Sequence, residues 1–209
     1  MIAMNIEKIK EIFKNKEREA LDIEIYHAVL LPLIEIDGEL HLIYEVRAKH
    51  MNSQPGEISF PGGRVEVEEN FREAAVRETF EEIGIKKENI EIIGELDFLT
   101  RTGNFMLYPY IGEISNTKME DLVLNPDEVD EVFTVPLSFL CKNQPEIHEI
   151  KYEPNFKENF PFHKIQNGKK YNWHNMKYPV YFFEYQGHII WGLTAKITNN
   201  FVEYIKKNM

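Results

Sequence analysis

Cysteine is nearly absent from this 209-residue sequence: Cys141 stands alone, so no internal disulfide can form. Without partner thiols for a zinc site or a nucleophile motif around it, Cys141 reads as a small core residue. Apolar runs are too short to cross a bilayer, and no repeat, low-complexity tract or linker interrupts the chain. Positive charge is scarce: 24 Lys and Arg against 35 Asp and Glu give a formal net charge of −11. That balance lacks the basic face a nucleic-acid surface needs, and it argues equally against an anionic membrane. An acidic protein can still act on an anionic substrate where metal ions neutralise charge at the point of reaction.

What is present supports one core. With 43% hydrophobic and 12% aromatic residues, residues 1–209 are expected to form a single domain. The N-terminal segment 1–22 mixes acids and bases over an amphipathic helix, about Ile6 to Ala20, rather than a signal peptide's apolar stretch, and implies a cytoplasmic protein. Asp37-Gly38 marks a tight hairpin between two apolar strands. Short strands are expected at Glu57–Phe60, Ile90–Leu99 and Phe105–Ile114, with Pro109 placing the last at an edge or a bulge. Glu131–Leu140 reads as a strand running into a short helix, and Tyr178–Tyr185 with His188–Trp191 as a second hairpin. A closing helix, Thr194–Lys206, buries Ile197, Phe201, Val202 and Ile205. Strands with a few covering helices predict an α+β layered sandwich around a mixed sheet. Segment 151–177 is irregular, aromatic and lysine-rich, and is open between a substrate-facing loop and a surface meander.

The acids concentrate in one helix. Asn70 with Glu73 forms a capping box and Gly84 supplies a stop, so Glu78, Glu81 and Glu82 lie inside the helix on one face. The plain reading is a solvated face, with Arg77 offsetting Glu81 and Glu73. Pro61-Gly62-Gly63 shifts that reading, because such a turn brings backbone carbonyls close to a ligand just before the acid-lined helix. Clustered carboxylates and carbonyls are hard oxygen donors suited to Mg²⁺ or Mn²⁺, and Mg²⁺ favours substrates that bring phosphate oxygens.

Gly63, Glu69, Arg77-Glu78, Glu81-Glu82, Gly84 and Ile85 stand at the spacing of the Nudix box, which this segment resembles. Thr79 departs from the usual aliphatic yet keeps a methyl for the buried side. The resemblance implies a Nudix-like α/β/α sandwich and cleavage of a nucleoside diphosphate linked to another moiety. It further implies that Glu78 and Glu82 lead the metal ligands, that Glu81 adds a ligand or positions water, and that Arg77 holds a carboxylate. Gly62 or Gly63 would offer a carbonyl. Glu128 and Glu131, after Asn125-Pro126, are acids at which a general base or merely a polar strand entrance is expected.

Upstream, Arg47, Gly56 and Phe60-Pro61-Gly62-Gly63 resemble the extension that marks the coenzyme A diphosphatase branch. Ala48 and Asn52 stand where that extension carries Ser and a second Arg. The likeness continues in Thr102-Gly103 and in Trp191-Gly192-Leu193-Thr194. It implies a small-molecule substrate, coenzyme A or an acyl-CoA, with Arg47, Gly56, Phe60 and Gly62 as binding residues, and it is compatible with a homodimer. Trp191 is open between stacking on adenine and filling the core.

Overall fold

The computed structural model describes residues 5–17, 20–101 and 104–209; Thr102 and Gly103 lie outside them. A central strand, β1 (Ile25–Ile36), runs parallel to β7 (Phe105–Ile114) along its whole paired length, from Ile25 opposite Phe105 to Ile34 opposite Ile114. Its other edge is shared. The C-terminal half pairs with β2 (Glu39–Arg47) across the Asp37-Gly38 turn, whose φ angles of 51° and 82° suit a two-residue hairpin. The N-terminal half pairs instead with β4 (Gly62–Arg64), while β2 turns away to meet β3 (Ile58–Ser59). The hairpin is therefore splayed, and residues 58–64 thread through the opening, held by the Leu30 N–H donating to the Pro61 carbonyl at 2.9 Å.

β8 (Val129–Pro136) covers the far edge of β2, and β5 (Ile90–Glu95) and β6 (Leu99–Arg101) share the far edge of β7. A continuous strand from Ile90 to Leu99 is thus corrected to two: a bulge between Ile92 and Gly94 and the break after Glu95 divide it. Pro109 lies in an interior strand rather than at an edge. Its carbonyl accepts from Leu96 at 3.0 Å, so the missing Pro N–H faces the gap between β5 and β6, where no ladder donor is needed.

Both faces of this sheet are covered, which is why β1 reads as a near-continuous apolar run. Ala28, Leu30, Ile34, Ile43 and Tyr110 point toward α2 (Phe71–Ile83), which contributes Ala74, Ala75 and Ile83. Leu31, Leu33, Leu42 and Tyr44 point the other way, toward α3 (Leu137–Lys142) and α4 (Gly192–Asn208). A second, antiparallel sheet of β9 (Glu146–Tyr152), β10 (Met176–Tyr185) and β11 (His188–Trp191) shares that side through Phe183 and Ile190. The architecture is α+β, an α/β/α sandwich with a mixed sheet. β9 carries no sequence signal because all its residues are exposed.

The first helix, α1, is shorter than the sequence suggests, Ile6–Phe13. None of its residues is buried, so no packed face extends it beyond its capped start. In 153–175 the aromatics gather on one another: Phe156, Phe160, Phe162 and Trp173 have ring centroids 4.7–6.0 Å apart.

Candidate active site

The threaded segment and α2 meet face to face. The Asn70–Glu73 capping box fixes the start of α2 and Gly84, at φ 74°, ends it. Thr79 is fully buried and donates its hydroxyl to the Ala75 carbonyl, so its methyl serves the packing position. A side chain at Gly62 would place Cβ 2.4 Å from the Ala28 carbonyl, and one at Gly63 would place it 2.3 Å from Glu78 Oε1. Only a glycine at 62 lets the turn press on the β1 backbone, and a side chain at 63 would displace the Glu78 carboxylate.

Two sets of acids result. Arg77 grips one: its guanidinium donates from Nε and Nη2 to both oxygens of Glu69 at 2.8 and 3.0 Å. It also donates to Glu78 at 2.9 Å and to Glu81 at 3.0 Å, as well as to the Arg64 carbonyl. The bidentate bond to Arg77 holds the Glu69 carboxyl below the usual carboxylate range. Burial raises the Glu78 carboxyl, with Arg77 opposing it.

The second set lies deeper. Glu82 is 3% exposed and accepts the Gly62 N–H at 2.7 Å. Burial pushes its carboxyl up, and the charge of Glu45 adds to the effect. Glu45, on β2, is 1% exposed and points with Ile43 toward α2. Ser59 Oγ donates to its Oε1 at 2.9 Å, while Oε2 is buried without a partner. Burial pushes the Glu45 carboxyl up to about 7, opposed by the Ser59 bond and Arg47, and raised further by Glu128 and Glu78.

Glu128 joins this set through its charge on Glu45, Glu78 and Glu82. Its loop is held by Asn125 donating to the Glu82 carbonyl and by Ala48 donating to the Glu128 carbonyl, at 2.9 and 2.8 Å. Glu131 does not join it; it pairs with His188 at 3.0 Å. Arg47 forms no ion pair among the described residues, and its Nε is buried without a partner. Gly56 donates to the Arg47 carbonyl at 3.0 Å and lines a groove with Val46, Ile58, Phe182, Ile189 and Trp191, of about 630 Å³. Trp191 is no core residue: it is 42% exposed and stacks on Phe182 at 6.1 Å. Phe60 lies in the core instead, 3% exposed with its ring 4.7 Å from that of Tyr44, so it anchors the threaded segment from beneath.

Sequence reasoning missed Glu45. The signal available is an acid at an inward position of an apolar strand, Leu42 to Val46, where alternation predicts a hydrophobe.

Among the described residues no three His, Cys, Asp or Glu side chains are grouped as a preformed metal cage. The donor set nevertheless fits a hard divalent cation: buried, mutually repelling carboxylates, one with a bare oxygen, beside a turn that only glycine permits. Together, the turn and the helix gather hard oxygen donors of the kind such a cation takes.

The family profile described as the NUDIX domain matches residues 27–174, and the chain belongs to the Nudix family. Nudix hydrolase 3 of Caenorhabditis elegans is 44% identical over 117 residues, covering 55% of this chain and 49% of its own length. The human mitochondrial coenzyme A diphosphatase NUDT8 is 28% identical over 173 residues, 82% of this chain and 65% of its own. The chain therefore spans about half to two thirds of these relatives. The crystal structure of a MutT/nudix family protein from Enterococcus faecalis matches over 97% of this chain and 70% of its own, with TM-score 0.51 and 16% identity. No described helix is long and apolar enough to cross a membrane.

Proposed function

We propose that the chain is a metal-dependent hydrolase of a nucleoside diphosphate derivative, and that its substrate is coenzyme A or an acyl-CoA. Water attacks one phosphorus, the bridging P–O bond breaks, and 4′-phosphopantetheine (or its acyl form) and adenosine 3′,5′-bisphosphate leave. The observation that carries the reading is the meeting of Glu78 and Glu82 with the Gly62-Gly63 turn, with the charge of Glu128 felt by both, beside an Arg47 that forms no ion pair among the described residues. The coenzyme A diphosphatase named among the relatives supports the substrate.

Glu78 and Glu82 would lead the ligands of Mg²⁺ or Mn²⁺, with Glu81 and the Gly63 carbonyl assisting; the bound ion neutralises phosphoryl charge and acidifies water. The chain's own groups do the rest. Arg77 fixes Glu78 and Glu81 in place, and Glu128 or Glu81 accepts the proton of the attacking water. The Arg47 guanidinium grips a phosphate oxygen, the Gly56 and Gly62 turns let the diphosphate approach the backbone, and Trp191 in its groove offers a face for adenine.

A panel of coenzyme A, acyl-CoAs, dephospho-CoA and ADP-ribose with Mg²⁺ and with Mn²⁺, read by product mass, tests this. Coenzyme A or an acyl-CoA should be hydrolysed fastest, and dephospho-CoA, lacking the 3′-phosphate, more slowly. Faster hydrolysis of ADP-ribose than of every CoA compound would leave only the broader diphosphate reading. Binding without turnover of any would mark a non-catalytic module.

A further inference from the structure

We propose that Glu45, on strand β2 and outside the Nudix box, is a further ligand of the divalent cation, fixed in orientation by Ser59. The inference rests on the cation site read above.

The strand places it there. Leu42, Ile43 and Tyr44 are each fully buried, and Glu45 follows them at 1% exposure, on the α2 face that Ile43 also serves. A carboxylate in such a position needs every oxygen satisfied, because a bare buried oxygen is costly. Ser59 Oγ satisfies Oε1 at 2.9 Å and in doing so fixes the carboxyl plane. Oε2 is buried and has no partner.

Neighbouring groups do not fill the gap. Arg47, two residues along the strand on the same face, makes no ion pair with it, and Arg77 spends its donors on Glu69, Glu78 and Glu81. The charge of Arg47 favours ionised Glu45 from a distance, Glu128 and Glu78 oppose it, and Glu45 in turn acts on Glu82, so its free oxygen faces neighbouring acids without a bonded partner, a place that a cation would fill. A cation shared by Glu45, Glu82 and Glu78 would be held from a strand and a helix at once.

Mn²⁺ titration of the full chain, following free Mn²⁺ by electron paramagnetic resonance, with melts in the absence and presence of Mg²⁺, tests the assignment. The chains compared are wild type, Glu45→Gln, Ser59→Ala, Glu82→Gln and Glu91→Gln, the last an exposed acid on β5. Glu45→Gln should weaken Mn²⁺ binding about 10- to 100-fold, melt higher than wild type without metal, and lose most of the Mg²⁺-induced rise. Ser59→Ala should weaken it less, and Glu91→Gln not at all. Glu45→Gln binding Mn²⁺ within about twofold of wild type, with Glu82→Gln impaired, would overturn the role of Glu45 alone. Unchanged binding in Glu82→Gln would overturn the box site itself. If Glu45→Gln does not fold, Ser59→Ala decides, and wild-type affinity there rejects the proposal.

Discussion

The two acid sets on and around α2 share residue type and neighbourhood, yet differ in their partners. Around Arg77, Glu69, Glu78 and Glu81 each meet a guanidinium nitrogen within 3.0 Å. One turn further on, Glu82 has one backbone amide, and Glu45 opposite it has one hydroxyl and a bare oxygen. In the first set every carboxylate has the Arg77 guanidinium as a cationic donor; the second keeps carboxyls that resist ionisation because burial and mutual repulsion both oppose it. A tethered set and a set short of partners are thus built side by side from glutamate. Glu78 belongs to both, pressed against Gly63 while bonded to Arg77.

The strongest way to break this comparison is to substitute in each set and look for opposite signs. Glu82→Gln should lower turnover by several orders of magnitude, since an amide is a poor ligand, yet keep the fold because Gln can still accept the Gly62 N–H. Without metal it should melt higher than wild type, having lost a buried carboxyl whose ionisation burial and neighbouring charges oppose. Arg77→Ala should melt lower, on the order of 3 kcal/mol less stable, because three carboxylates lose their shared cation. If melting shifts in the same direction in both variants, the division into two sets is wrong.

A smaller effect sharpens the boundary of the second set. Glu128 lies within reach of its charges while Glu131 is bonded to His188, three residues on along the same stretch. Glu128→Gln should therefore reduce kcat about 10²-fold with a modest change in metal affinity, the signature of a lost base, whereas Glu131→Gln should leave kcat within about twofold. Glu81→Gln, measured alongside, separates the remaining candidate. Equal losses in the Glu128 and Glu131 variants would remove Glu128 from the site.

The Arg77 set is legible in the sequence only where it is local: Glu81 is the expected partner, but Glu73, the other one expected, is taken by the capping box, and Glu69 before the helix takes its place. Capping box, glycine stop and the i, i+4 placement of Arg77 and Glu81 are all written in consecutive residues. The hairpin at Asp37-Gly38 is legible for the same reason, as is the buried stripe of α4. What the sequence hides depends on long-range pairing. Glu45 acquires its meaning only when residues 58–64 insert beside it and bring Ser59 and Gly62, and nothing in the strand's own neighbours announces that. Pro109 misleads for a related reason: a missing donor marks an edge unless a partner strand happens to break opposite it. For Trp191, core and exposed face are equally compatible with the local pattern, and only the second sheet shows that it faces a groove with Phe182.

The smallest expected effect concerns pH, and it follows from the signs of the shifts. Glu69, held low by Arg77, contributes stability that is present above its unfolded value and lost as pH falls. Glu45, pushed up to about 7 by burial, binds a proton more readily folded than unfolded. Its contribution is therefore full below the ordinary carboxylate value, about pH 4.5, and is lost as pH rises through about 7. His27, lowered by burial, acts in the opposite sense across the same range, and the Glu78 and Glu82 carboxyls, raised by burial, act in the same sense as Glu45, so wild-type melting alone mixes them. The difference between wild type and Glu45→Gln cancels His27. In metal-free protein the two should melt at about the same temperature near pH 5. By pH 8 the variant should melt several degrees higher, corresponding to on the order of 1–3 kcal/mol at about 2–4 °C per kcal/mol. Saturating Mg²⁺ should abolish or reverse that gap, because the cation relieves in the wild type what the substitution removes. A gap that stays constant from pH 5 to pH 8 would show that the buried carboxyl of Glu45 does not titrate there, and that the second set is neutralised by some partner other than a proton.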